Sequence, residues 1–187
     1  YELNDRILIE KHINNKNKSV IIGAGLGFIP ILTFKKSRNK VMLFEIDKEI
    51  CDNLTKNLIQ NDVSYELHKK NLSIKKEKVE EGFYYKTNNF LANSLYSKEG
   101  KKEKFENINI NQINSFNSYN TLIIDAEGAE EYYINNINIL KNIKYLFFEL
   151  HYDLISKKKI DEIFKRLKFF NFIQRDKCFN SYYFVRK

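Results

Sequence analysis

The stretch SVIIGAGLGFIPILTF, residues 19–34, joins a short β-branched run to a glycine-rich turn and then to an apolar helical pattern. The run that stops at Gly23 predicts a buried strand. Glycines at positions 23, 25 and 27 let the backbone turn sharply and approach a ligand closely. Pro30 lies in the first turn of the predicted helix, where its missing N–H costs little. This order predicts the opening unit of a parallel α/β sheet.

The rest of the chain continues the alternation of strand and helix. Strands are predicted at residues 40–46, 63–69, 121–125 and 145–150, and helices at 3–14, 48–58, 130–140 and 157–170. Residues 171–187 predict two antiparallel strands with a turn near Asn180, and 106–110 predict a short edge strand. The weak periodicity of 70–105 predicts a hairpin-like insertion around 82–105. Together these patterns predict a three-layer α/β sandwich with a mostly parallel sheet and an antiparallel C-terminal strand pair.

The composition limits the classes of function. The 187 residues carry a net charge of +8, but the lysines are dispersed, which favours a solvated surface over a site for nucleic acid. Cys51 and Cys178 form neither a disulfide framework nor a zinc pattern, so a reduced, cytoplasmic setting is expected. No apolar run approaches the ~20 residues that cross a bilayer, so no membrane span is expected.

The glycine turn and a distant acid predict a nucleotide-type cofactor. Glu45 ends the second predicted strand, within the ~20 residues at which a carboxylate binds ribose hydroxyls in such folds. Phe28 stands where a dinucleotide-binding loop needs a small residue, so the pattern is G-x-G-x-G. That spacing is typical of enzymes that use S-adenosylmethionine (SAM). A purely structural turn between strand and helix is the alternative.

The strand at 121–125 ends on a group of carboxylates. Asp125 lies at its carboxyl end, where open α/β sheets bind ligands. Glu127 points to the same side if the chain stays extended. Glu130 and Glu131 are assigned to the first turn of the next helix, whose dipole favours negative charge, rather than to a site.

The strand at 145–150 ends in a similar way. Glu149 and His151 are two residues apart and follow an apolar run. A carboxylate beside an imidazole can orient a general base. A neutral histidine that is satisfied by a backbone partner at the sheet rim is the alternative.

These segments together resemble the FkbM family of SAM-dependent methyltransferases, which have the class I Rossmann-like fold. The matching pieces are VIIGAGLGF, VMLFEIDKEICDNLTKNLIQND, FYYKTNNFLANSLY, TLIIDAEGAEEYYI and YLFFELH, and IDAEGAE followed by FFELH is the most specific part. The resemblance implies one methyltransferase domain over 1–187, with an N-terminal helix in 1–18 and a Rossmann-like core in 19–187. It also implies O-methylation of a hydroxyl on a saccharide or another small molecule.

The resemblance assigns roles by position. The residues predicted to bind the cofactor are Gly23, Ala24, Gly25, Gly27, Glu45, Ile46, Asn71, Leu72, Ser73 and Asp125. Asn71, Leu72 and Ser73 would lie near the adenine of the cofactor. Glu127, Glu149 and His151 would line the acceptor side. Many class I enzymes carry an acid two positions before the first glycine, where this chain has Ile21. Asp125 or a main-chain carbonyl is therefore expected to hold the methionine amino group.

Two mechanisms are compatible with the predicted catalytic residues Asp125, Glu149 and His151. In the favoured one, His151 is oriented by Glu149 and takes the hydroxyl proton, Asp125 and Glu127 position the substrate, and no metal is bound. In the other, Asp125, Glu149 and His151 bind one Mg²⁺-like ion that acidifies the hydroxyl.

Two other functions stay open at this point. A nucleic-acid methyltransferase is suggested by the net charge, but DAEG stands where base N-methyltransferases often carry an N/D-P-P-Y/F motif. A SAM-binding module without catalysis is suggested by Ile21. An aromatic group in the insertion suits an acceptor wall, core packing or a homodimer contact equally; its members are Phe83, Tyr84, Tyr85, Phe90 and Tyr96.

Overall fold

The computed structural model describes residues 3–74, 81–86, 101–126 and 128–187. The helices are α1 (Leu3–His12), α2 (Phe28–Ser37), α3 (Lys48–Gln60), α4 (Glu130–Asn135) and α5 (Lys157–Phe169). The strands are β1 (Ser19–Ile22), β2 (Val41–Phe44), β3 (Tyr65–His68), β4 (Asn71–Ser73), β5 (Glu81–Lys86), β6 (Lys101–Asn109), β7 (Thr121–Ile124), β8 (Tyr145–Glu149), β9 (Phe172–Cys178) and β10 (Ser181–Arg186). Among the described residues, the 3₁₀ helices Ile110–Gln112 and Asn114–Ser118 precede β7.

Seven strands form the main sheet in the order β3-β2-β1-β7-β8-β10-β9. The five strands from β3 to β8 are parallel, and β10 joins them antiparallel to β8, with β9 antiparallel to β10. Chain order reverses between β1 and β7, which is the switch point where ligands bind in open α/β sheets. The predicted fold class is confirmed.

The two faces of the sheet have separate apolar cores, because side chains alternate along each strand. One face carries Leu122, Leu146 and Phe148 and is covered by α4 and α5. The other carries Leu43, Ile123 and Phe147 and is covered by α1, α2 and α3. Fully buried residues of this size contribute about 1.5–3 kcal/mol each, so both layers stabilise the sheet.

The same alternation sets the direction of three carboxylates. Glu45, Asp125 and Glu149 each lie two residues after an apolar residue of the α1–α3 face, namely Leu43, Ile123 and Phe147. If the alternation continues past the last strand residue, all three point from the carboxyl edge of the sheet toward that face. The register of β10 places Ser181 opposite Glu149, so the β9–β10 turn lies at this edge too.

The insertion contains an antiparallel pair, as predicted. Strand β5 pairs with β6 along its whole length, and β6 also pairs in parallel with β4, so a second sheet has the order β4-β6-β5. The prediction of an edge strand at 106–110 was wrong, since β6 is the central strand of this sheet. Within the aromatic group, Tyr84 is buried and Phe83 is exposed, whereas Phe90, Tyr96 and the Tyr85 side chain lie outside the described residues.

Helix α4 is shorter than the predicted 130–140. The Asn136 side-chain amide donates to the Tyr132 carbonyl at 2.8 Å, and the Asn136 backbone N–H donates to Tyr133. These bonds replace the regular helical pattern, and turns follow. Ile137 and Leu140 are nevertheless fully buried, so the apolar spacing predicted burial correctly while it overestimated the helix. Within the described ranges, no helix has the length and apolarity needed to cross a membrane.

Candidate functional site

The glycine loop bends back against the end of β7. Gly23, Gly25 and Gly27 all have positive φ, of 77°, 52° and 99°. A Cβ on Gly23 would lie 1.8 Å from the carbonyl oxygen of Asp125, which no side chain can tolerate. The glycine is therefore required for the close approach of loop and strand. Ala24, the next residue, is buried and its N–H faces the Phe44 carbonyl at 3.3 Å.

Glu45 ties the second strand to this loop. Its Oε2 accepts from the Gly25 N–H at 3.0 Å, and its Oε1 accepts from Ile46 at 2.8 Å and Asp47 at 3.0 Å. Burial raises the pKa of the Glu45 carboxyl, and the three backbone hydrogen bonds oppose that rise. A carboxylate offers about four acceptor positions, so Oε2 can still receive a ribose hydroxyl.

The segment Asn71–Ser73 was predicted to lie near an adenine. It forms β4, with the Leu72 side chain in the core and Ser73 buried. The Asn71 amide oxygen accepts from the Tyr133 hydroxyl at 3.1 Å, and its nitrogen donates to Asn107 at 2.7 Å. The main chain pairs with β6, and the Leu72 carbonyl accepts from the Tyr133 hydroxyl at 3.1 Å, so the Ser73 hydroxyl is the group with which the segment would meet a ligand. Proximity to adenine stays a prediction.

Asp125, Glu149 and His151 come together at the carboxyl edge. One ligand atom from each lies within 4.8 Å of the other two. His151 Nε2 is 3.9 Å from Asp125 Oδ1, and both side chains are mostly buried, with 13% and 20% of their surface exposed. These two residues come from neighbouring strands, so the prediction that the ends of β7 and β8 share one site has a geometric basis.

The carboxylate that contacts the other nitrogen of His151 is Glu130. His151 Nδ1 lies 2.8 Å from Glu130 Oε1, and Glu130 is completely buried. Glu130 does begin α4, as predicted, and its contact with His151 is a second role that the sequence analysis did not assign to it. The expectation that Glu149 orients His151 stays a prediction. Glu131 does lie outside the site, where it pairs with Lys159 at 2.7 Å.

The contacts at Glu130 indicate which tautomer of His151 suits this site. Oε1 also accepts from the Gly128 N–H at 3.3 Å, so it acts as an acceptor. We therefore assign the ring proton to Nδ1, which leaves a lone pair on Nε2 when the ring is neutral. That lone pair faces Asp125.

Glu149 is held from the opposite side by Asn180. The Asn180 side-chain amide donates to Glu149 Oε1 at 2.5 Å. The Asn180 backbone carbonyl accepts from the Leu150 N–H at 2.8 Å. Asn4 of α1 donates to the Asn180 side-chain oxygen at 3.0 Å. Sequence patterns indicated only a turn at this position. Glu127, the remaining predicted acceptor-side residue, lies outside the described residues.

The insertion contacts the segment that follows Glu45 through Lys86. Its ammonium lies 3.2 Å from Asp47 and 2.8 Å from Glu49. Those contacts, with Glu49 first, raise the pKa of Lys86. Asp47 itself caps α3 by accepting from the backbone N–H groups of Glu49 and Ile50. The second sheet is thus anchored beside the loop that follows Glu45.

Comparison with known proteins identifies the architecture. No model of a protein family matches the sequence, and no curated protein sequence matches it. Among solved structures, the precorrin-6y C5,15-methyltransferase of Geobacter metallireducens GS-15 has a TM-score of 0.56 at 10% identity, over 96% of this chain and 84% of its own. This chain has the Rossmann-like fold of class I SAM-dependent methyltransferases.

Two further structures with this methyltransferase fold agree. The magnesium protoporphyrin IX methyltransferase of Synechocystis PCC 6803, solved with bound SAM, has a TM-score of 0.57 at 12% identity, over 98% of this chain and 76% of its own. A methyltransferase of Pyrococcus furiosus has a TM-score of 0.54 at 13% identity, over 97% of this chain and 81% of its own. At these identities the likeness concerns the fold, so the acceptor has to be argued from the residues of this chain.

Proposed function

We propose that this chain is a SAM-dependent O-methyltransferase that acts on a hydroxyl of a small molecule or saccharide. The observation that carries the proposal is the placement of Asp125. Its main chain touches Gly23 of the glycine loop, and its side chain faces His151 and Glu149. A single residue thus joins the predicted cofactor loop to a group of polar side chains.

The residues around the loop suit SAM. The main chain of Gly23, Ala24, Gly25 and Gly27 would border the methionine part, and Glu45 would accept from the ribose. Ile46 and the segment Asn71–Ser73 would border the adenine. When bound, SAM supplies a methyl carbon whose bond to sulfur breaks, leaving the electron pair on sulfur, as the new bond to the acceptor oxygen forms and the hydroxyl proton is released.

The residues beside the reaction centre suit a hydroxyl acceptor. Carboxylates accept hydrogen bonds from hydroxyl groups, and Asp125, Glu149 and the predicted Glu127 supply several. Two aromatic side chains at the same edge are exposed, Tyr152 by 49% and Phe179 by 80%. Their apolar faces would cover the carbon skeleton of a sugar or a similar ring while the carboxylates hold its hydroxyls.

The chemical task of the polar group is to make the hydroxyl a better nucleophile. A hydroxyl oxygen reacts poorly until its proton begins to leave, and positioned acids and bases contribute typically 10²–10⁴-fold to such steps. Asp125 and His151 also fix the direction of approach, and alignment itself lowers the barrier. The charge around them disfavours a polyanionic acceptor, so nucleic acid is not the proposed substrate.

The test is a binding measurement followed by a transfer assay. Calorimetry with SAM and with S-adenosylhomocysteine should show one site per chain. Radiolabelled methyl transfer to a panel of glycans, lipid-linked sugars and small hydroxylated molecules should then find an acceptor. His151→Gln should abolish transfer and retain SAM binding, while Glu131→Gln should behave as wild type. If neither cofactor form binds, the proposal is wrong.

Three finer statements belong to the same proposal. Membership of the FkbM family is supported by the segments IDAEGAE and FFELH, which the fold places at adjacent strand ends. A cytoplasmic location and a homodimer stay predictions. Subcellular fractionation and light scattering would test them.

A further inference from the structure

We propose that Asp125, Glu149 and His151 bind a divalent cation of the Mn²⁺ type, and that Glu130 supports the site by orienting His151. The inference deepens the proposed function, because the ion would lie where the acceptor hydroxyl is expected. The sequence alone favoured a site without a metal. The contact between Glu130 and His151 favours a site with one.

The distance between two of the ligand atoms is the first argument. His151 Nε2 and Asp125 Oδ1 are 3.9 Å apart, which is too long for a hydrogen bond. Two ligands at about 2.1 Å from one octahedral ion are separated by roughly 3.0 Å when adjacent and 4.2 Å when opposite. The observed separation is nearer to the value for opposite positions. The ligand atoms of all three residues lie within 4.8 Å of one another, so small side-chain movements would bring them to such distances.

The state of His151 is the second argument. A histidine that ligates a metal through one nitrogen almost always donates its other N–H to a carboxylate, a carbonyl or water. His151 has this arrangement, with Nδ1 held 2.8 Å from the fully buried Glu130 and Nε2 directed toward the carboxylates. The second oxygen of Glu130 has no hydrogen-bond partner among the residues that the structure describes. A buried carboxylate in that condition is stabilised by positive charge nearby.

The balance of charge is the third argument. Asp125, Glu130 and Glu149 surround one imidazole at the edge of a buried site. Like charges so close together repel strongly in a partly buried setting, and a dication would reverse the sign of that interaction. The negative charge could instead be balanced by a doubly protonated His151, which would have no lone pair for a metal.

The ligand set indicates the kind of ion. Carboxylate oxygens suit Mg²⁺ and Mn²⁺, and imidazole favours first-row transition metals over Mg²⁺. One imidazole with two carboxylates therefore favours Mn²⁺ over Mg²⁺, and it leaves positions for water or for the acceptor hydroxyl. The ion would lower the pKa of that hydroxyl. Its proton would pass to water, and the ion would keep its +2 charge, so no oxidant or reductant is needed.

The test is Mn²⁺ binding to the full chain without SAM. The electron paramagnetic resonance signal of free Mn²⁺ should decrease until about one ion is bound per chain. Asp125→Asn, Glu149→Gln and His151→Gln should each remove this binding, and Glu130→Gln should weaken it by about 10–100-fold, the usual effect of a supporting residue. Glu131→Gln is the matched control, since it changes the adjacent glutamate outside the site. Melting temperatures check that each variant is folded.

Two results would overturn the inference. One is Mn²⁺ binding by Asp125→Asn that equals wild type, which would place the ion elsewhere. The other is the absence of binding together with transfer that continues in a chelator, which would mean that His151 takes the proton directly. In that second case SAM binding and transfer stand, so the proposed function survives. If Mn²⁺ binds and SAM does not, the metal site stands and the proposed function fails.

Discussion

Glu130 and His151 are in contact at 2.8 Å although they come from different strand–helix units, one at the start of α4 and the other just after β8. The contact links the ends of two neighbouring parallel strands through a buried carboxylate. It holds the imidazole in one orientation before any ligand arrives. Preorganisation of this kind lowers the cost of forming the reactive arrangement.

We expect Glu130→Gln to lower kcat by about 10–100-fold with little change in the KM for SAM, because the amide weakens the hold on His151 without touching the cofactor loop. Glu130→Ala should also destabilise the protein, by about 1–3 kcal/mol, because it leaves the imidazole N–H unsatisfied. Steady-state kinetics and denaturant titration measure the two effects. Equal losses in Glu131→Gln would show that the helix, and not the contact with His151, is responsible.

The sequence predicted the fold well, and it predicted part of the site. Strands such as β7 and β8 are continuous apolar runs that end on acids, a strong local signal. The role of Glu130 was within reach of helical periodicity. Glu130, Tyr133 and Ile134 have the spacing of one helix face, and all three are buried, while Glu131 is not on that face. A carboxylate on an apolar face predicts a buried partner.

Other features depended on contacts between distant segments. The hold of Asn180 on Glu149 requires that β10 lie antiparallel to β8 with Ser181 opposite Glu149. That register is set by the packing of Tyr182 and Phe184 against Phe148, which no local pattern shows. The central position of β6 likewise depends on its pairing with β4, across many intervening residues. Local periodicity could not distinguish this from an edge strand.

Gly23→Ala should unfold the loop region or abolish SAM binding, because its Cβ would meet the Asp125 carbonyl at 1.8 Å. The melting temperature and calorimetry with SAM test this. Gly25→Ala is the matched control. Gly25 also has a left-handed conformation, with φ of 52°, which costs alanine only about 1–2 kcal/mol. Equal effects of the two substitutions would mean that backbone conformation alone, and not the contact with Asp125, explains the glycine.

Glu45→Gln should weaken the binding of SAM by about 10–100-fold, because hydrogen bonds to a charged acceptor contribute about 1.5–3 kcal/mol each. Calorimetry with SAM and with a ribose-modified analogue would measure the change, and the variant should discriminate less between the two ligands. Asp52→Asn serves as the control, because Asp52 is an exposed carboxylate on α3 that pairs with Lys69. An unchanged affinity in Glu45→Gln would remove Glu45 from the predicted cofactor site.

Asp176 of β9 should make the free energy of unfolding depend on pH, because its carboxylate holds α1 against the sheet. Lys11 and His12 of α1 both contact its Oδ2 at 2.7 Å, and these contacts hold the pKa of Asp176 well below its usual range. A carboxyl whose folded-state pKa is lowered stabilises the protein above its unfolded-state pKa, near 3.9, and loses that effect as pH falls further.

Asp176→Asn should therefore lower the melting temperature at pH 7 by about 2–4 °C, which corresponds to roughly 1 kcal/mol for a chain of this size. The gap in melting temperature between wild type and variant should narrow as the pH falls below about 4, because the unfolded wild-type chain then binds a proton at Asp176 that the folded protein does not. Thermal unfolding at neutral and acidic pH measures both values. Asp52→Asn should show neither change, since its ion pair with Lys69 is exposed to solvent. A gap that stays constant with pH would show that Asp176 acts through packing and not through its charge.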